Sequence, residues 1–596
     1  MSMSTTIKPI FYTTKEIQGF ESNLKEDIIK NLGEDSEYVL DYPTVYIHTW
    51  QSKQDKENNS FSVYIGESTD VIKRTKEHYR DSRNKNLWQS HLIGDGDTPT
   101  MYIFGHKHFN KSMTLDIENK LIDYCLTMDN IKLYNGRGNP QGRYSYDENF
   151  DDIFSMVWSQ LRKQNPNLFL SETEIKKSAI YKASPNHKLT KDQKDAKAKI
   201  IDRVVDAINN NKNGQLIFVE GEAGTGKTVL TSSTFYELLD EEVICNSNLK
   251  CYMLVNHDEQ VNVYADMAKK LGLNHRFEED VVSKPTKFIN NNDKGNNEVG
   301  VVFVDEAHLL WTQGKQAYRG SNQLKDIIDR SKITVVMFDE YQILRTEQYW
   351  EIELLMEMRE LARNQGNYIK LENQLRMNCS KDTISWIDDL TKKLVVSDLY
   401  KDSKGYEIKI FRTPQELHSA IKKKASNKET ELSRVVASYD WQYNSQAKPE
   451  DSNEYWEVEI DNWKLPWNRE LFKTLSQKEK KKLKHLAWAE QPQTINEVGS
   501  TFTIQGFDLT YAGVIIGPSV QYKDNKIVFN SEKKAYKSMT NKRTLANGDT
   551  MDISSTLIQH ELRVLMTRGT KGIYIYACDD ALRKALLNAV KSDYKR

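Results

Sequence analysis

The sequence predicts an α/β multidomain protein in which a small α+β domain precedes two domains built on parallel sheets. The chain has 596 residues, which is too long for a single hydrophobic core. From about residue 216 onward, apolar strands alternate with helical stretches, a pattern typical of parallel sheets covered by helices on both faces. Near the N-terminus, the β-branched and aromatic runs 44–47 and 61–66 instead predict a hairpin around a polar loop.

Composition narrows the class of protein. The net charge is −1, so any nucleic-acid surface must be a local patch and not a global excess of positive charge. The five cysteines are scattered without a C-x-x-C pair, which argues against a zinc ribbon or a disulfide framework. The N-terminus lacks the apolar core of a signal peptide, and no run reaches membrane-spanning length. We therefore expect a cytoplasmic protein without a membrane partner.

The pattern along the chain predicts five segments. A helical appendage over 1–37 contains an amphipathic pattern from Ile17 to Leu32 that Gly33 ends. The small α+β domain follows, then a helical linker, then the two parallel-sheet domains. Their expected bounds are 38–148, 149–185, 186–348 and 349–596.

The small domain carries a set of polar and aromatic residues in a fixed order. Two tyrosines lie in the hairpin, and a basic helix opened by capping residues follows it. A later predicted helix carries a glutamate, and an asparagine lies downstream of that helix. In chain order these residues are Tyr46, Tyr64, Arg74, His78, Glu118 and Asn135. The order resembles the GIY-YIG nuclease family over about residues 38–145, with Tyr64-Ile65-Gly66 matching the second half of the family name.

The resemblance implies a metal-dependent endonuclease with these six residues in its catalytic site. Hydrolysis of a phosphodiester needs a positioned water, a base and a cation near the phosphate. In the family a tyrosine helps to deprotonate the water, Arg74 would hold the phosphate, and Glu118 would ligate Mg²⁺, with Mn²⁺ as the alternative metal. Thr44 and Val45 replace the Gly and Ile of the family name, and the hairpin loop is longer than usual.

A complete G-x-x-x-x-G-K-[ST] pattern lies between an apolar strand, 216–219, and a predicted helix. Its residues are Gly221, Glu222, Ala223, Gly224, Thr225, Gly226, Lys227 and Thr228. Glycines allow backbone N–H groups to surround phosphate oxygens, Lys227 reaches the terminal phosphates, and the Thr228 hydroxyl can ligate Mg²⁺. The pattern therefore predicts an ATP site.

Further residues complete this predicted site. Asp305, at the end of an apolar strand, suits a second Mg²⁺ contact, and the adjacent Glu306 suits orientation of the attacking water. Other positions match motifs of superfamily 1 helicases: Gln193 for the adenine, Gln342 as the γ-phosphate sensor, Gly506 in the T-x-x-x-Q-G motif, and Arg376 and Arg568 from the second domain. Residues 186–590 thus resemble a superfamily 1 helicase-type motor with two RecA-like domains, related to the helicase-like region of Schlafen proteins.

The two resemblances together imply an ATP-driven helicase or translocase fused to an endonuclease. Its substrate would be nucleic acid, with DNA favoured and a single strand in the motor cleft, in antiphage defence or DNA processing. The alternative is a nucleotide-gated binding switch whose front domain is catalytically silent. Under either reading, six aromatic residues are candidates for a base-stacking surface: Trp311, Tyr341, Trp441, Trp463, Trp467 and Trp488.

Overall fold

The computed structural model describes most of the chain. The described ranges are 9–14, 24–81, 88–92, 99–128, 130–135, 150–172, 175, 178–184, 187, 189–239, 241, 244, 249–271, 280–295, 299–314, 317–449, 454–483, 486–504 and 507–591. The chain divides into two compact units, and each unit gathers separate segments. The first unit comprises 1–194, 228–245 and 261–283, and the second comprises 195–227, 246–260 and 284–596.

The strands are labelled in chain order. They are β1 Ile10–Thr14, β2 Thr44–Trp50, β3 Phe61–Ser68, β4 Thr100–Gly105, β5 Ile131–Leu133, β6 Gln215–Gly221, β7 Lys250–Val255, β8 Val282–Ser283, β9 Val299–Asp305, β10 Ile333–Phe338, β11 Tyr368–Leu371, β12 Glu407–Ile410, β13 Arg434–Ala437, β14 Glu457–Ile460, β15 Trp463–Pro466, β16 Val498–Ser500, β17 Leu509–Ile516, β18 Val520–Lys523, β19 Lys526–Phe529, β20 Arg543–Thr544, β21 Thr550–Met551 and β22 Gly569–Ala577.

The α-helices follow the same scheme. They are α1 Leu24–Leu32, α2 Glu37–Leu40, α3 Lys53–Asn58, α4 Val71–Asp81, α5 Lys111–Leu126, α6 Phe150–Gln164, α7 Ala179–Lys182, α8 Lys191–Asn209, α9 Lys227–Leu238, α10 Asp258–Lys270, α11 Pro285–Asn291, α12 Gln323–Ile328, α13 Ile352–Asn364, α14 Lys381–Asp388, α15 Pro414–Ala425, α16 Glu470–Thr474, α17 Gln477–Leu483, α18 Lys537–Thr540, α19 Ser554–Met566 and α20 Asp580–Ala589.

The first unit contains a sheet of five strands in the order β1-β4-β2-β3-β5. The expected hairpin is confirmed, because β2 and β3 pair antiparallel, and α3 occupies the polar loop between them. A capping box at Ser52 starts α3, since its hydroxyl accepts from the Asp55 N–H and Asp55 accepts in return. The predicted helix over 17–32 is described from Leu24 only, and its earlier residues lie outside the described ranges.

The segment 149–185 is not the linker that its polar sequence predicts. Helix α6 buries Phe154, Val157 and Trp158 in the same core as β2, β3 and α5. The apolar face of α6 packs on α5, where the ring centroid of Tyr124 lies 5.0 Å from that of Phe154 and 4.8 Å from that of Trp158, so the helix belongs to the small domain and not to a connection between domains.

The second unit contains two parallel sheets, as the alternating pattern predicts. One has the strand order β11-β6-β10-β9-β7, and the other has the order β12-β22-β17-β13-β16. We call the part with the former sheet the first half and the part with the latter the second half. Strand β11 pairs with β6 in parallel, so the expected domain boundary at 348 falls inside the first sheet, which extends to Leu371.

A segment of the second half returns to the first. Residues 536–553, here the return segment, follow the β18–β19 hairpin and precede α19. Met539 and Ile553 are buried in the hydrophobic core of the first half together with Leu557 of α19. In the described part of the chain, no helix is long and apolar enough to cross a membrane.

Candidate functional site

The phosphate-loop pattern forms the loop between β6 and α9. Gly224 and Gly226 have φ angles of 87° and 78°, values that side chains other than glycine rarely adopt. A Cβ atom at Gly221 would lie 2.6 Å from the Thr225 hydroxyl, so this position also requires glycine. The Thr225 hydroxyl and N–H donate to the Glu222 carbonyl at 3.0 and 3.2 Å, which closes the loop upon itself.

Lys227 is buried within the loop that it follows. Its Nζ atom donates to the carbonyls of Gly221 and Glu222 at 2.7 and 3.0 Å, and it lies 3.5 Å from Asp339 Oδ2. A lysine held by carbonyls points its charge into the loop, where phosphate oxygens would offer it stronger, charged acceptors. Asp339 follows β10 directly and is 1% exposed.

Asp305 and Glu306 lie at the end of β9. Asp305 is buried, and its Oδ1 atom accepts from the Glu306 N–H at 3.0 Å. Glu306 has a φ angle of 49°, a left-handed conformation that costs energy outside glycine and that is often associated with function. Burial alone would raise the pKa of Glu306, but His308 and Lys227 hold this pKa below its usual value. The carboxyl group is therefore ionised at neutral pH, as activation of a water requires.

Two arginines of the second half meet these groups. Leu375 donates its N–H to the Gly224 carbonyl at 2.7 Å, which brings Arg376 against the loop, and Arg376 Nε lies 2.6 Å from Asp508 Oδ1. Arg568 is 1% exposed and donates to Gln342 Oε1 at 3.2 Å. Gln342 in turn donates to Asp339 Oδ2 at 2.8 Å. A chain of contacts thus joins Lys227, Asp339, Gln342 and Arg568.

The second-unit site fits the triphosphate and Mg²⁺ that the motifs imply. Burial and the neighbouring Arg376 lower the pKa of Arg568 to about 10, so its charge is incompletely compensated. Within the described ranges, the Arg568 Nε atom has no hydrogen-bond partner. A buried cation with a free donor is costly unless an anion joins it. The γ-phosphate would supply that anion, while Asp305 would contribute one of the few carboxylates that Mg²⁺ needs beside phosphates and water.

Three of the expected nucleotide-site residues are not placed in this cluster. Gln193 and Thr228 belong to the first unit, where Gln193 Oε1 accepts from the Thr190 N–H at 2.9 Å. Gly506 lies outside the described residues. Their roles remain predictions from the motifs.

Sequence reasoning missed Asp339 and Asp508. Asp339 follows an apolar strand in the same way as Asp305, and that repeated pattern could have identified it. Asp508 carries no comparable signal, because only the fold brings it to Arg376.

The residues of the predicted nuclease motif converge in the first unit. Strand register places Tyr46 opposite Gly66 and His48 opposite Tyr64. The Tyr46 phenol and His78 Nε2 are hydrogen-bonded at 2.9 Å, and both side chains are buried. A Cβ at Gly66 would lie 2.4 Å from the Tyr46 hydroxyl, so only glycine allows the phenol to cross this strand.

Charges around the two tyrosines have opposing effects. Burial raises the pKa of both Tyr46 and Tyr64; the nearby Arg74 lowers both, and Glu118 raises both. Arg74 projects from α4, whose first turn is capped by Asp70 accepting from the Lys73 N–H, and Arg74 Nη1 lies 3.0 Å from Glu77. These electrostatic effects place a cation and a carboxylate beside the same pair of phenols.

Glu118 is 5% exposed on α5, a helix that Asn110 caps at its N-terminus. No group of three or more His, Cys, Asp or Glu side chains suited to a metal lies among the residues that the structure describes. A single carboxylate still fits Mg²⁺, which usually keeps several waters and uses substrate phosphates as ligands.

The Asn135 side chain is hydrogen-bonded to the backbone of β3. Its Nδ2 donates to the Ile65 carbonyl at 2.6 Å, and its Oδ1 accepts from the Ile65 N–H at 2.8 Å. The amide is therefore occupied in holding β3, the strand that carries Tyr64. Its contribution to catalysis would be to position that strand.

The sequence analysis also missed His48. This side chain is fully buried beside Tyr46 and His78, with ring centroids 5.5 and 5.8 Å away. Burial, and to a lesser extent His78, lowers the pKa of His48 to about 3. The alternation of Tyr46, His48 and Trp50 along one face of β2 could have identified it.

Comparisons with known proteins concern mainly the second unit. The family model described as Schlafen group 3, DNA/RNA helicase domain, matches residues 214–579, more than half of the chain. The uncharacterised protein YPL245W of Saccharomyces cerevisiae is 30% identical over 412 residues, which cover 64% of this chain and 85% of that protein.

Two solved structures are similar at low identity. S. cerevisiae Dbp5 bound to RNA and ADP BeF3 is 14% identical, with a TM-score of 0.30 and coverage of 70% of this chain and 90% of that one. Pif1 helicase from Candida albicans is 11% identical, with a TM-score of 0.25 and coverage of 67% and 97%. Likeness at these TM-scores is too remote to support an argument about activity.

Proposed function

Because the chain belongs to the Schlafen group 3 DNA/RNA helicase-domain family, we propose that its second unit is an ATPase that moves on nucleic acid. The observation that carries the proposal is the contact of Arg568, in the second half, with Gln342, in the first. A phosphate bound by Lys227 would draw Arg376 and Arg568 onto its oxygens, so that ATP binding and hydrolysis would close and open the cleft between the halves. A nucleic-acid strand held by both halves would then move in steps.

Each residue of the second-unit site has a proposed part in hydrolysis. Lys227 and the loop N–H groups bind the phosphates, and Glu306 orients the attacking water. Arg376 and Arg568 stabilise the negative charge that develops in the transition state. Asp305 would hold Mg²⁺, which would neutralise charge on the phosphate oxygens.

For the first unit we propose a metal-dependent endonuclease of the GIY-YIG type. The convergence of Tyr46, Tyr64, Arg74, His78 and Glu118 supports the proposal. Burial and Arg74 lower the pKa of His78 to about 4, so its ring is neutral at pH 7, and its Nε2 atom holds the Tyr46 phenol in place through a hydrogen bond of 2.9 Å. One of the two phenols would orient the attacking water and, once it has lost its own proton to solvent, accept a proton from that water; Arg74 would bind the scissile phosphate, and Glu118 would hold Mg²⁺ or Mn²⁺.

One experiment tests the two activities separately. We expect Lys227→Ala to lower ATP hydrolysis by about 100-fold or more, because it removes the charge that binds the terminal phosphates. Lys370→Ala, at an exposed position on β11, is the matched control. We expect Glu118→Ala to abolish Mg²⁺-dependent cleavage of DNA and to leave ATP hydrolysis unchanged, whereas Glu57→Ala, on the exposed face of α3, should alter neither activity.

The outcomes separate the proposals from the alternative. Normal ATP hydrolysis by Lys227→Ala would overturn the motor assignment, and persistent cleavage by Glu118→Ala would overturn the metal site. ATP hydrolysis without cleavage by the unaltered protein would favour the nucleotide-gated switch.

We favour DNA as the substrate, in antiphage defence or DNA processing. ATP hydrolysis measured with single-stranded DNA, duplex DNA and RNA tests this preference. Stimulation by single-stranded DNA is expected, and stimulation by RNA alone would contradict it.

A further inference from the structure

The second residue of the phosphate loop takes part in a charged cluster that the motor motifs do not include. We call it the Glu222 cluster, and it consists of Glu222, Tyr341, Asp388, Lys392 and Arg563. Glu222 contacts Lys392 Nζ at 2.6 Å through one oxygen and pairs with Arg563 through the other. Asp388 lies 2.8 Å from Arg563 Nη1 and 3.1 Å from Lys392 Nζ. Two cations and two carboxylates therefore alternate around a closed ring.

The Tyr341 ring lies beside both cations. Its centroid is 5.0 Å from the Arg563 guanidinium carbon and 5.1 Å from Lys392 Nζ, distances suited to cation–π attraction. Tyr341 immediately precedes Gln342, the residue that contacts Arg568. The cluster thus contains one residue of the phosphate loop, Glu222, and the residue that precedes the proposed γ-phosphate sensor, Tyr341.

These contacts cross between the two halves. Glu222 and Tyr341 belong to the first half, whereas Asp388, Lys392 and Arg563 belong to the second. Arg563 lies on α19, the helix that leads directly to Arg568. The position of α19, and hence of Arg568, is therefore tied to the phosphate loop by groups of the protein alone.

The surroundings favour a stable ring. The Arg563 side chain is 7% exposed, the Lys392 side chain 25%, and Glu222 42%, so solvent screens the Arg563–Asp388 pair least and the Lys392–Glu222 pair most. Burial alone would raise the pKa of Glu222, but Arg563 and Lys392 hold this pKa below its usual value. Arg563 also donates to the Thr391 hydroxyl at 2.8 Å, which fixes the guanidinium plane.

We propose that the Glu222 cluster is a latch that limits how far the two halves separate before nucleotide binds, and that Lys392 and Arg563 are positioning residues for the phosphate loop and Arg568. The inference rests on the proposed ATPase activity. A latched cleft lowers the entropy cost of bringing two halves onto one triphosphate. Loss of the latch should therefore act first on the KM for ATP and less on kcat.

The adjacent lysines give a matched pair of variants. Lys392 joins the cluster, whereas the partner of Lys393 among the described residues is Asp389, and the Lys393 side chain is 67% exposed. We expect Lys392→Met to raise the KM for ATP by about tenfold and Lys393→Met to leave it within about twofold. In the absence of nucleotide, hydrogen exchange of the phosphate-loop amides should be faster in Lys392→Met than in Lys393→Met.

A double-mutant cycle tests the pairing itself. Arg563→Met and Glu222→Gln should each raise KM, and their combined effect should be smaller than the sum of the two, because both remove the shared Glu222–Arg563 pair. Equal KM values and equal amide exchange for Lys392→Met and Lys393→Met, or strictly additive effects in the cycle, would overturn the latch.

Amide exchange without nucleotide needs no hydrolysis, so the latch is tested even if the protein proves not to be an ATPase. Faster amide exchange in Lys392→Met than in Lys393→Met, in a protein that does not hydrolyse ATP, would retain the latch and reject the proposed function. If the protein hydrolyses ATP and Lys392→Met changes neither amide exchange nor the KM for ATP, the proposed function stands and the latch is rejected.

Discussion

At the scale of single residues, Gly66 shows that a motif position can require glycine because a neighbouring side chain fills the space beside its Cα atom. The Tyr46 phenol occupies the volume where a side chain at Gly66 would lie. The glycine therefore fixes the phenol against His78, and no other residue type leaves that path open.

We expect Gly66→Ala to displace the Tyr46 hydroxyl and to lower the rate of DNA cleavage by about 100-fold, since a shift of about 1 Å in a reacting group has effects of this size. ATP hydrolysis should not change. Single-turnover cleavage measures the effect, with Gly314→Ala as control, because a Cβ there would meet only ordinary contacts at 3.6 Å. Unchanged cleavage by Gly66→Ala would show that the Tyr46 position is unimportant.

The two buried histidines make a prediction about acid stability. The pKa of His48 is lowered to about 3 and that of His78 to about 4, in both cases mainly by burial. A lowered histidine pKa means that stability is fully present above the unfolded value of 6.5 and is lost as pH falls towards the folded pKa. We expect each ring to cost about 2 kcal/mol between pH 6.5 and pH 5.

Urea unfolding of the first unit as a function of pH measures this loss. His48→Phe, which removes one titrating ring and keeps an aromatic side chain, should flatten the profile by about half. An unaltered profile would mean that His48 is protonated in the folded protein.

The sequence identifies candidate residues where a motif places them on one element. The phosphate loop, Asp305 and the hairpin tyrosines lie in recognisable local contexts, because glycine conformations and strand ends leave a signature in the chain. Asp508 and Arg563 have no such signature, since their partners lie far away in sequence and only the packed fold brings them together.

At the scale of elements, the return segment shows where local patterns are insufficient. Strand β11 has four residues, and its neighbour in the sheet is about 150 positions earlier. The sequence around β11 therefore has no periodicity that predicts this strand. The return segment crosses from one half to the other without a long helix or strand of its own. The sequence predicts a connection at α6 for a different reason. The many polar residues of this helix obscure the periodic apolar positions that form its buried face.

Arg543 anchors the return segment to the first half. It is 3% exposed and donates to the Thr312 carbonyl at 2.7 Å and to Gln313 Oε1 at 2.5 Å. We expect Arg543→Met to lower the free energy of unfolding of the second unit by about 1–3 kcal/mol, because a buried carbonyl loses its donor. Lys542→Met removes the same charge from an exposed neighbour and should change it by less than about 0.5 kcal/mol. Denaturant unfolding of the two variants measures this difference. Equal losses of unfolding free energy in Arg543→Met and Lys542→Met would mean that the Arg543 hydrogen bonds contribute nothing specific to stability.

At the scale of the whole molecule, the units are not consecutive pieces of chain. The first unit takes residues 228–245 and 261–283 from within the motor sequence. Within that unit, Lys270 Nζ donates to the Leu126 carbonyl at 2.8 Å, and Leu271 packs against the core that contains α5 and α6. Sequence reasoning predicted consecutive domains, because motifs mark where each function begins and not which segments pack together.

We expect a fragment of residues 1–194 to be less stable than the same residues in the full chain, since it lacks Leu271 and the donor to Leu126. Thermal unfolding, followed by exchange of the α5 amides, measures the difference. Cooperative unfolding of the isolated fragment at the temperature of the full chain would contradict it.

The chain passes between the two units at 194–195, 227–228, 245–246, 260–261 and 283–284. One of these passages follows Lys227 directly, inside the phosphate-loop motif itself. A recombination event that exchanged residues 1–194 alone would therefore leave out residues 228–245 and 261–283, which belong to the same unit. A chimera of two relatives joined at any one of these passages would divide at least one of the two units between its parents.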